Sequence, residues 1–96
     1  MNYEWDPAKN AESIKKHKVN FEQAMMALED PCCLFFYDET HSKNEDRYIM
    51  IGNAEGRILF VNIVWIDEDT IRIISARRAK KKEMEAYNEN CSLLFK

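Results

Sequence analysis

The chain has 96 residues, of which 46% are hydrophobic and 32% are charged, and its formal net charge at pH 7 is −3. This length provides for a single small domain, residues 1–96, and leaves no room for a second core. The longest mainly apolar run, Ile58 to Ile66, is too short to span a bilayer, and residues 1–6 lack the basic and apolar order of a secretory signal.

Two helices are predicted in the N-terminal third of the chain. Asp6 and Pro7 form a helix start, because aspartate is a favoured N-cap and proline a favoured first helical residue. This helix is expected to end near residues 17–18. A second helix is predicted to begin at Asn20, where Gln23 completes a capping box, and to end before Pro31.

Four strands and a last helix follow. The predicted strands cover residues 32–37, 47–52, 57–66 and 70–76, and the predicted helix covers residues 79–90, with Met84, Tyr87 and Cys91 on one side. Short connections pair such strands antiparallel in chain order, as a meander. The predicted fold class is therefore α+β, with two N-terminal helices, a four-stranded antiparallel sheet and one C-terminal helix. Residues 3–5 are a candidate for an additional short edge strand.

The three cysteines form no recognisable metal or disulfide pattern. Cys32 and Cys33 are adjacent and Cys91 stands alone, so the count is odd and no CxxC spacing is present. We therefore predict reduced thiols that behave as small apolar residues in a cytoplasmic protein. The two histidines have no carboxylate at ligand spacing, so neither a metal site nor a cofactor is predicted.

A cationic segment is unexpected on this acidic chain. Residues 71–82 contain six positive charges and no acid: Arg72, Arg77, Arg78, Lys80, Lys81 and Lys82. Such groups bind phosphates or carboxylates. Arg77 and Arg78 fall where a strand leads into a helix, which suits a phosphate, although solvated arginines or a salt bridge to a nearby acid would give the same pattern. The three lysines fit either a solvated helix face or one on which an anion docks.

Candidates for proton transfer are fewer. His17 lies between two lysines at the predicted end of the first helix, where an imidazole is able to act as a base. A histidine that merely ends the helix is the alternative. Tyr87 fits a core position on the last helix, and its hydroxyl is a second candidate. His41 and Glu45 lie in a polar loop, and we interpret both as solvated.

Four segments, in this order, carry a resemblance to a known family. Residues 3–10 read YEWDPAKN, residues 16–24 read KHKVNFEQA, residues 41–52 run from His41 to Gly52, and residues 72–79 read RIISARRA. Together with Glu83 and Tyr87, these segments resemble the BrnT family of type II toxins over about residues 3–88. Two departures are visible: the family usually has glycine at the position of Lys18, and its toxins tend to be basic.

The resemblance implies a RelE-like ribonuclease fold and translation arrest by RNA cleavage. It also implies neutralisation by a BrnA-like antitoxin with a DNA-binding module, so that operator DNA is bound only through the antitoxin. RNA is cleaved without a metal when the 2′-hydroxyl is deprotonated, the phosphorane charge is stabilised and the 5′-oxygen is protonated. The candidate catalytic residues are Arg77, Arg78, His17 and Tyr87, and the candidate RNA-binding residues are Lys16, Lys18, Arg72, Lys80 and Lys81.

Two other functions compete with this interpretation. The first is a catalytically weak antitoxin-binding module or co-repressor, whose cationic segment docks an acidic antitoxin segment. The acidic net charge favours it, because nonspecific RNA affinity depends on a cationic surface. The second, direct DNA binding, is weak, because no predicted helix carries base-reading residues on one face of a helix-turn-helix.

Overall fold

The computed structural model describes residues 1–95 and contains three helices and one sheet. In chain order the elements are β1 (Asn2–Trp5), α1 (Pro7–His17), α2 (Phe21–Leu28), β2 (Leu34–Tyr37), a single 3-10 turn (Glu39–His41), β3 (Arg47–Ala54), β4 (Arg57–Asp67), β5 (Thr70–Arg78) and α3 (Lys81–Leu94). None of the described helices is long and apolar enough to cross a membrane.

The sheet has five strands in the order β1-β5-β4-β3-β2 and is mixed. The antiparallel meander predicted for β2 to β5 is confirmed. The prediction of a purely antiparallel, four-stranded sheet is wrong, because β1 pairs parallel with β5, with Tyr3 opposite Ile71. No local turn connects these two strands, so their pairing left no short-range signal in the sequence.

The caps predicted for the first two helices are confirmed. The Asp6 side chain accepts a hydrogen bond from the Ala8 N–H at 2.9 Å. Asn20 and Gln23 form the capping box, with hydrogen bonds of 2.8 and 3.0 Å between each side chain and the other's backbone N–H. Asn10 adds a link between the helices, because its side-chain oxygen accepts from the Phe21 N–H at 2.8 Å. Local capping therefore fixes where both helices begin.

The turn after α1 requires an unusual backbone conformation at Lys18. This residue has φ 58° and ψ 32°, the left-handed region that glycine adopts without a steric penalty. Its N–H donates to the Ile14 carbonyl at 3.0 Å. Both guanidinium nitrogens of Arg57 lie 3.4 Å from the Lys18 carbonyl oxygen. The turn thus holds a lysine in the position where the resemblance led us to expect glycine.

The first face of the sheet carries the larger core, which α1 and α2 cover. Its fully buried side chains come from the α1–α2 connection, α2 and the central strands: Val19, Phe21, Leu59, Val61, Ile63 and Ile73. Helix α2 approaches β3 closely at Gly52, where an added Cβ would lie 2.0 Å from the Ala27 carbonyl oxygen. Only a residue without a side chain fits there, so Gly52 sets the distance between α2 and the sheet.

The second face carries a smaller core beneath α3. Cys32, Ile51 and Tyr87 are buried together there, with Phe60 beside them. Met84, predicted on the same side as Tyr87, is instead exposed. Tyr87 is the buried residue of α3, so this helix packs on the sheet through few of its side chains.

A disulfide joins Cys32 to Cys91, with a Cα–Cα distance of 4.9 Å and a sequence separation of 59 residues. The prediction of three reduced thiols is therefore wrong for these two cysteines. The pairing depends on how α3 docks, which residue spacing does not reveal. Cys33 is free and partly buried, and burial raises the pKa of its thiol to about 11, so it stays protonated near neutral pH.

Candidate active site

A cleft of about 330 Å³ lies between α1 and the outer edge of β5. β1 covers this edge only from Thr70 to Ile73, and the rest of β5 faces α1. The cleft is lined by residues from α1, β4 and β5: Lys9, Glu12, Ser13, Lys16, His17, Asn62, Ile74, Ser75, Ala76 and Arg77. Three residues that the sequence nominated separately, Lys16, His17 and Arg77, therefore share one cleft.

A β-bulge in β5 shapes the floor of the cleft. Asn62 pairs with Ser75, but the next residue of β4, Ile63, pairs with Ile73, so Ile74 is the extra residue. The bulge keeps Ala76 in the core and turns Ser75 and Arg77 towards the second face of the sheet. The Asn62 amide then donates to the Ser75 hydroxyl oxygen at 2.8 Å.

Ser13 fixes α1 against β5 at the back of the cleft. Its hydroxyl is buried and lies 2.7 Å from the Val19 carbonyl oxygen and 3.0 Å from that of Ala76, donating to one of them at a time. Because a buried hydroxyl must be hydrogen-bonded, this contact fixes the rotation of α1. It places Lys16 and His17, at the end of the same helix, on the cleft wall.

Arg77 is held by three interactions. Its Nη1 and Nη2 donate to the two carboxylate oxygens of Glu83 at 2.9 Å each, and Nη1 also donates to the Arg78 carbonyl at 3.0 Å. The guanidinium carbon lies 3.9 Å from the centroid of the Phe60 ring. The hydrogen bonds from Arg77 are the main reason that the pKa of Glu83 lies below its ordinary value. Arg77 is therefore oriented by its own neighbours before any ligand arrives.

One edge of the Arg77 guanidinium stays open. Glu83 and Arg78 use both Nη1 protons and one Nη2 proton, and a guanidinium carries five protons. No acceptor within residues 1–95 binds the Nε proton or the second Nη2 proton. These two protons form a second fork, able to hold two oxygens of one phosphate.

The other predicted site residues are distributed around the cleft. Arg78 is exposed at the end of β5, directly after Arg77. Arg72 is ion-paired with Glu4 at 3.3 Å and lines a neighbouring cleft, which shares Lys9 with the first. Lys16 is ion-paired with Glu12 at 2.6 Å. Lys18, Lys80 and Lys81 are exposed but do not line the cleft.

Tyr87 is not brought to the cleft. It is buried in the second core, and its hydroxyl donates to the Asp30 carboxylate. Burial, and then the hydrogen bond to Asp30, raise the pKa of Tyr87. Burial also acts to raise the pKa of Asp30, but hydrogen bonds from Tyr87 and from the Cys32 and Asn53 N–H groups outweigh it, and the pKa is lowered.

The sequence did not reveal every residue of the cleft. Lys9, Glu12, Asn62 and Ser75 line it, and none of them is among the candidates proposed from the sequence. The spacing of Lys9, Glu12 and Lys16 on one helix face was a usable signal. Asn62 was a second one, as a polar residue in an otherwise apolar strand. Among residues 1–95, no group of three or more side chains is placed to hold a metal ion.

Comparison with known proteins identifies the family. Residues 5–83 match the model of the ribonuclease toxin BrnT of type II toxin-antitoxin systems. The chain belongs to the BrnT family. Its structure is similar to the crystal structure of the Brucella abortus ribonuclease toxin BrnT, with a TM-score of 0.64 and 25% sequence identity, covering 84% of this chain and 99% of that chain. A search of curated proteins finds no match.

The extent of the match separates two parts of the chain. It includes the cleft from Lys9 to Arg77 and ends at Glu83, in the first turn of α3. Tyr87 and Cys91 lie beyond it. The resemblance seen in the sequence is thus confirmed for the family, and the matched part contains every residue that lines the cleft.

Proposed function

We propose that this chain is an endoribonuclease toxin that arrests translation by cleaving RNA without a metal ion. The observation that carries the proposal is the convergence of Lys16, His17 and Arg77 on one cleft, in a chain that belongs to a family of ribonuclease toxins. The partly open guanidinium of Arg77 suits the phosphate to be attacked. The imidazole of His17 is able to take the proton of the adjacent 2′-hydroxyl.

The reaction is a transfer of the phosphate within the RNA. His17 takes the proton of the 2′-hydroxyl, the 2′-oxygen attacks phosphorus, and the bond to the 5′-oxygen breaks. The open fork of Arg77, with Arg78 beside it, stabilises the charge that develops on the phosphorane. The leaving 5′-oxygen takes a proton from solvent or from Lys9 or Lys16. The products are a 2′,3′-cyclic phosphate and a 5′-hydroxyl.

The local charge supports RNA binding even though the chain is acidic. The cleft is lined by Lys9, Lys16 and Arg77 against one acid, Glu12. The neighbouring cleft, which shares Lys9, is lined by Lys9, Arg47 and Arg72 against Glu4, Asp6 and Glu45, so its charges balance and the cationic surface is that of the first cleft. We propose that the RNA backbone follows this surface, with Lys18, Lys80 and Lys81 contacting phosphates at its margins.

A cognate antitoxin completes the proposed system. Membership of a type II toxin family implies an antitoxin partner. We propose that this partner is BrnA-like, that it neutralises the toxin in the cytoplasm, and that operator DNA is bound only through it.

An antitoxin-binding module with little catalysis is the second candidate. One observation favours it: a carboxylate, Glu83, already occupies the Nη1–Nη2 fork of Arg77. An acidic side chain of a partner would then compete with Glu83 and bind the same two nitrogens of Arg77.

Incubation of the purified chain with RNA in EDTA tests the first candidate. We expect cleavage, with 2′,3′-cyclic or 3′-phosphate ends. His17→Ala should reduce the rate by about 10²–10⁴, the usual contribution of a general base. Lys15→Ala, on the same helix but outside the cleft, is the matched control and should leave the rate unchanged. Activity that vanishes with EDTA and returns with magnesium would contradict the mechanism. A folded chain with no activity at all would favour the interaction module.

A further inference from the structure

The second surface of interest is the edge strand β2, at the opposite end of the sheet from the cleft. β2 pairs with β3 on one side, and in the part of the chain that the structure describes no strand covers its other side. Its side chains Phe35, Phe36 and Tyr37 are 66%, 47% and 47% exposed. An exposed edge of this kind offers backbone groups and apolar side chains together.

The register of β2 identifies which backbone groups are free. The Asp38 N–H donates to the Arg47 carbonyl at 2.9 Å, so this facing pair is hydrogen-bonded. In an antiparallel ladder hydrogen-bonded pairs alternate, so Phe36 and Leu34 also direct their N–H and C=O groups to β3. Phe35 and Tyr37 therefore direct theirs outward, where an added strand would bind.

The β2 edge is short, at four residues, but it carries none of the side chains that prevent strand addition. Natural edge strands are protected by charged side chains, proline, bulges or a covering element. Residues 34–37 read LFFY and contain none of these. We name this exposed strand the β2 corner; its exposed residues are Phe35, Phe36 and Tyr37.

Charge decides between the possible occupants. Residues 29–46, which contain β2 and its flanks, include six acids and one lysine, a net charge of −5. This field repels RNA. It also disfavours a second copy of the chain, whose own β2 corner has the same charge. A partner with an apolar extended segment and basic flanks fits both the strand and its surroundings.

We propose that the antitoxin docks on this chain by adding a strand to β2, through the outward groups of Phe35 and Tyr37, with basic residues beside the acidic flanks. The inference rests on the proposed function for the existence of the antitoxin. It adds the surface, the mode of binding and the charge of the partner. It also places the docking strand at the far edge of the sheet from the cleft, so binding at β2 and cleavage at β5 are separable by mutation.

The test uses the full chain and the protein encoded by the adjacent reading frame, expressed together and separately. Phe35→Pro removes one outward N–H and keeps the β2–β3 ladder, because proline is tolerated on the open side of an edge strand. Phe35→Lys introduces the charge that edge strands use against pairing. Ile66→Lys, an exposed apolar residue of another strand, is the matched control. Circular dichroism and RNA cleavage are measured for every variant.

Phe35→Pro leaves a backbone acceptor of the partner without its donor, and Phe35→Lys places a charge where the partner has an apolar contact. We expect each variant to raise the Kd of the complex by about tenfold or more. Ile66→Lys should bind as the unchanged chain does. Affinity should fall with added salt, as a basic partner requires. Cleavage by the free variants should be unaffected, which separates this inference from the proposed function.

Three outcomes overturn the inference. One is that Phe35→Pro and Phe35→Lys both fold and that each binds the partner as tightly as the unchanged chain does. Another is an unchanged chain that forms no complex with the co-expressed protein. The third is a homodimer that Phe35→Lys dissociates, which would make a second copy the occupant of the β2 corner. Should Phe35→Pro fail to fold, Phe35→Lys alone decides.

Discussion

Tyr87 on α3 donates a hydrogen bond to Asp30, which lies 57 residues earlier at the end of α2. The same carboxylate accepts from the Cys32 N–H at 2.9 Å and from the Asn53 N–H at 2.8 Å. Asp30 therefore links α2, β3 and α3 at one point. The contact gives Tyr87 a role in stability that is separate from the cleft.

Tyr87→Phe should destabilise the fold and leave cleavage intact. Removing the hydroxyl takes away one of the hydrogen-bond donors to the Asp30 carboxylate, which lowers the free energy of unfolding by about 1–3 kcal/mol for a partly buried group. Urea unfolding measures the loss. Tyr37→Phe is the control, because the exposed Tyr37 hydroxyl donates to Asp46 at 3.2 Å, and its removal should change the unfolding free energy little. A Tyr87→Phe variant that folds but no longer cleaves RNA would return Tyr87 to the catalytic set.

The ion pair between Arg77 and Glu83 should make stability depend on pH. The pKa of Glu83 is lowered by folding, so its contribution is present above the unfolded pKa of about 4.5 and is lost as pH falls through the folded value. Glu83→Gln should therefore lower the unfolding free energy at pH 7, and the difference from the unchanged chain should disappear near pH 2. Thermal melts across this range measure it. A difference that is the same at both pH values would show that the ion pair contributes nothing.

The sequence predicted the features of this fold that depend on neighbouring residues. Asp6 and Asn20 act as N-caps through contacts within three residues, and the strands of the meander are joined by short turns. Arg77 was recognised because six cations fall within residues 71–82. The cleft itself was only partly predictable, since Lys16 and His17 meet Arg77 through the packing of α1 on β5.

The features that escaped prediction join distant segments. The parallel pairing of β1 with β5, the Cys32–Cys91 disulfide and the Tyr87–Asp30 hydrogen bond all span more than half of the chain. Each depends on where one element packs against another, and the spacing of residues in a single sequence does not show this. The contact of Arg77 with Glu83 is nearer in sequence, and a salt bridge is one of the alternatives that the sequence leaves open for this arginine.

Gly52→Ala should be strongly destabilising, because the added Cβ would lie 2.0 Å from the Ala27 carbonyl oxygen. The clash is with backbone, so α2 must move away from β3, at a cost of about 1–3 kcal/mol or more. Gly56→Ala is the comparison: nothing lies within 4 Å of its added Cβ, and only its φ of +89° opposes a side chain. The free energy of unfolding, measured with denaturant, should be much lower for Gly52→Ala than for Gly56→Ala. Equal losses of unfolding free energy would contradict the close approach of α2.

Lys18→Gly should stabilise the chain. Lys18 holds φ 58°, and glycine adopts this region without the steric penalty of roughly 1 kcal/mol that a side chain incurs. Lys15→Gly, inside α1, should have the opposite sign and cost about 0.5–1 kcal/mol. Melting temperatures of the two variants check the prediction, and a destabilised Lys18→Gly would show that the lysine side chain makes a compensating contact.

Arg77 should be required for cleavage beyond its structural contacts. Arg77→Ala removes a preoriented donor, and such losses typically reduce the rate by about 10²–10³. Arg77→Lys should recover activity only partly, because an ammonium cannot bind Glu83 and a phosphate with two separate forks. Glu83→Gln separates the roles: it keeps the guanidinium and loses the ion pair that orients it, so cleavage should fall less than in Arg77→Ala. Lys82→Ala, an exposed cation of α3, is the control for charge alone. Folded Arg77→Ala protein that cleaves normally would place the phosphate at Arg78, and loss in the double variant Arg77→Ala/Arg78→Ala would then confirm that position.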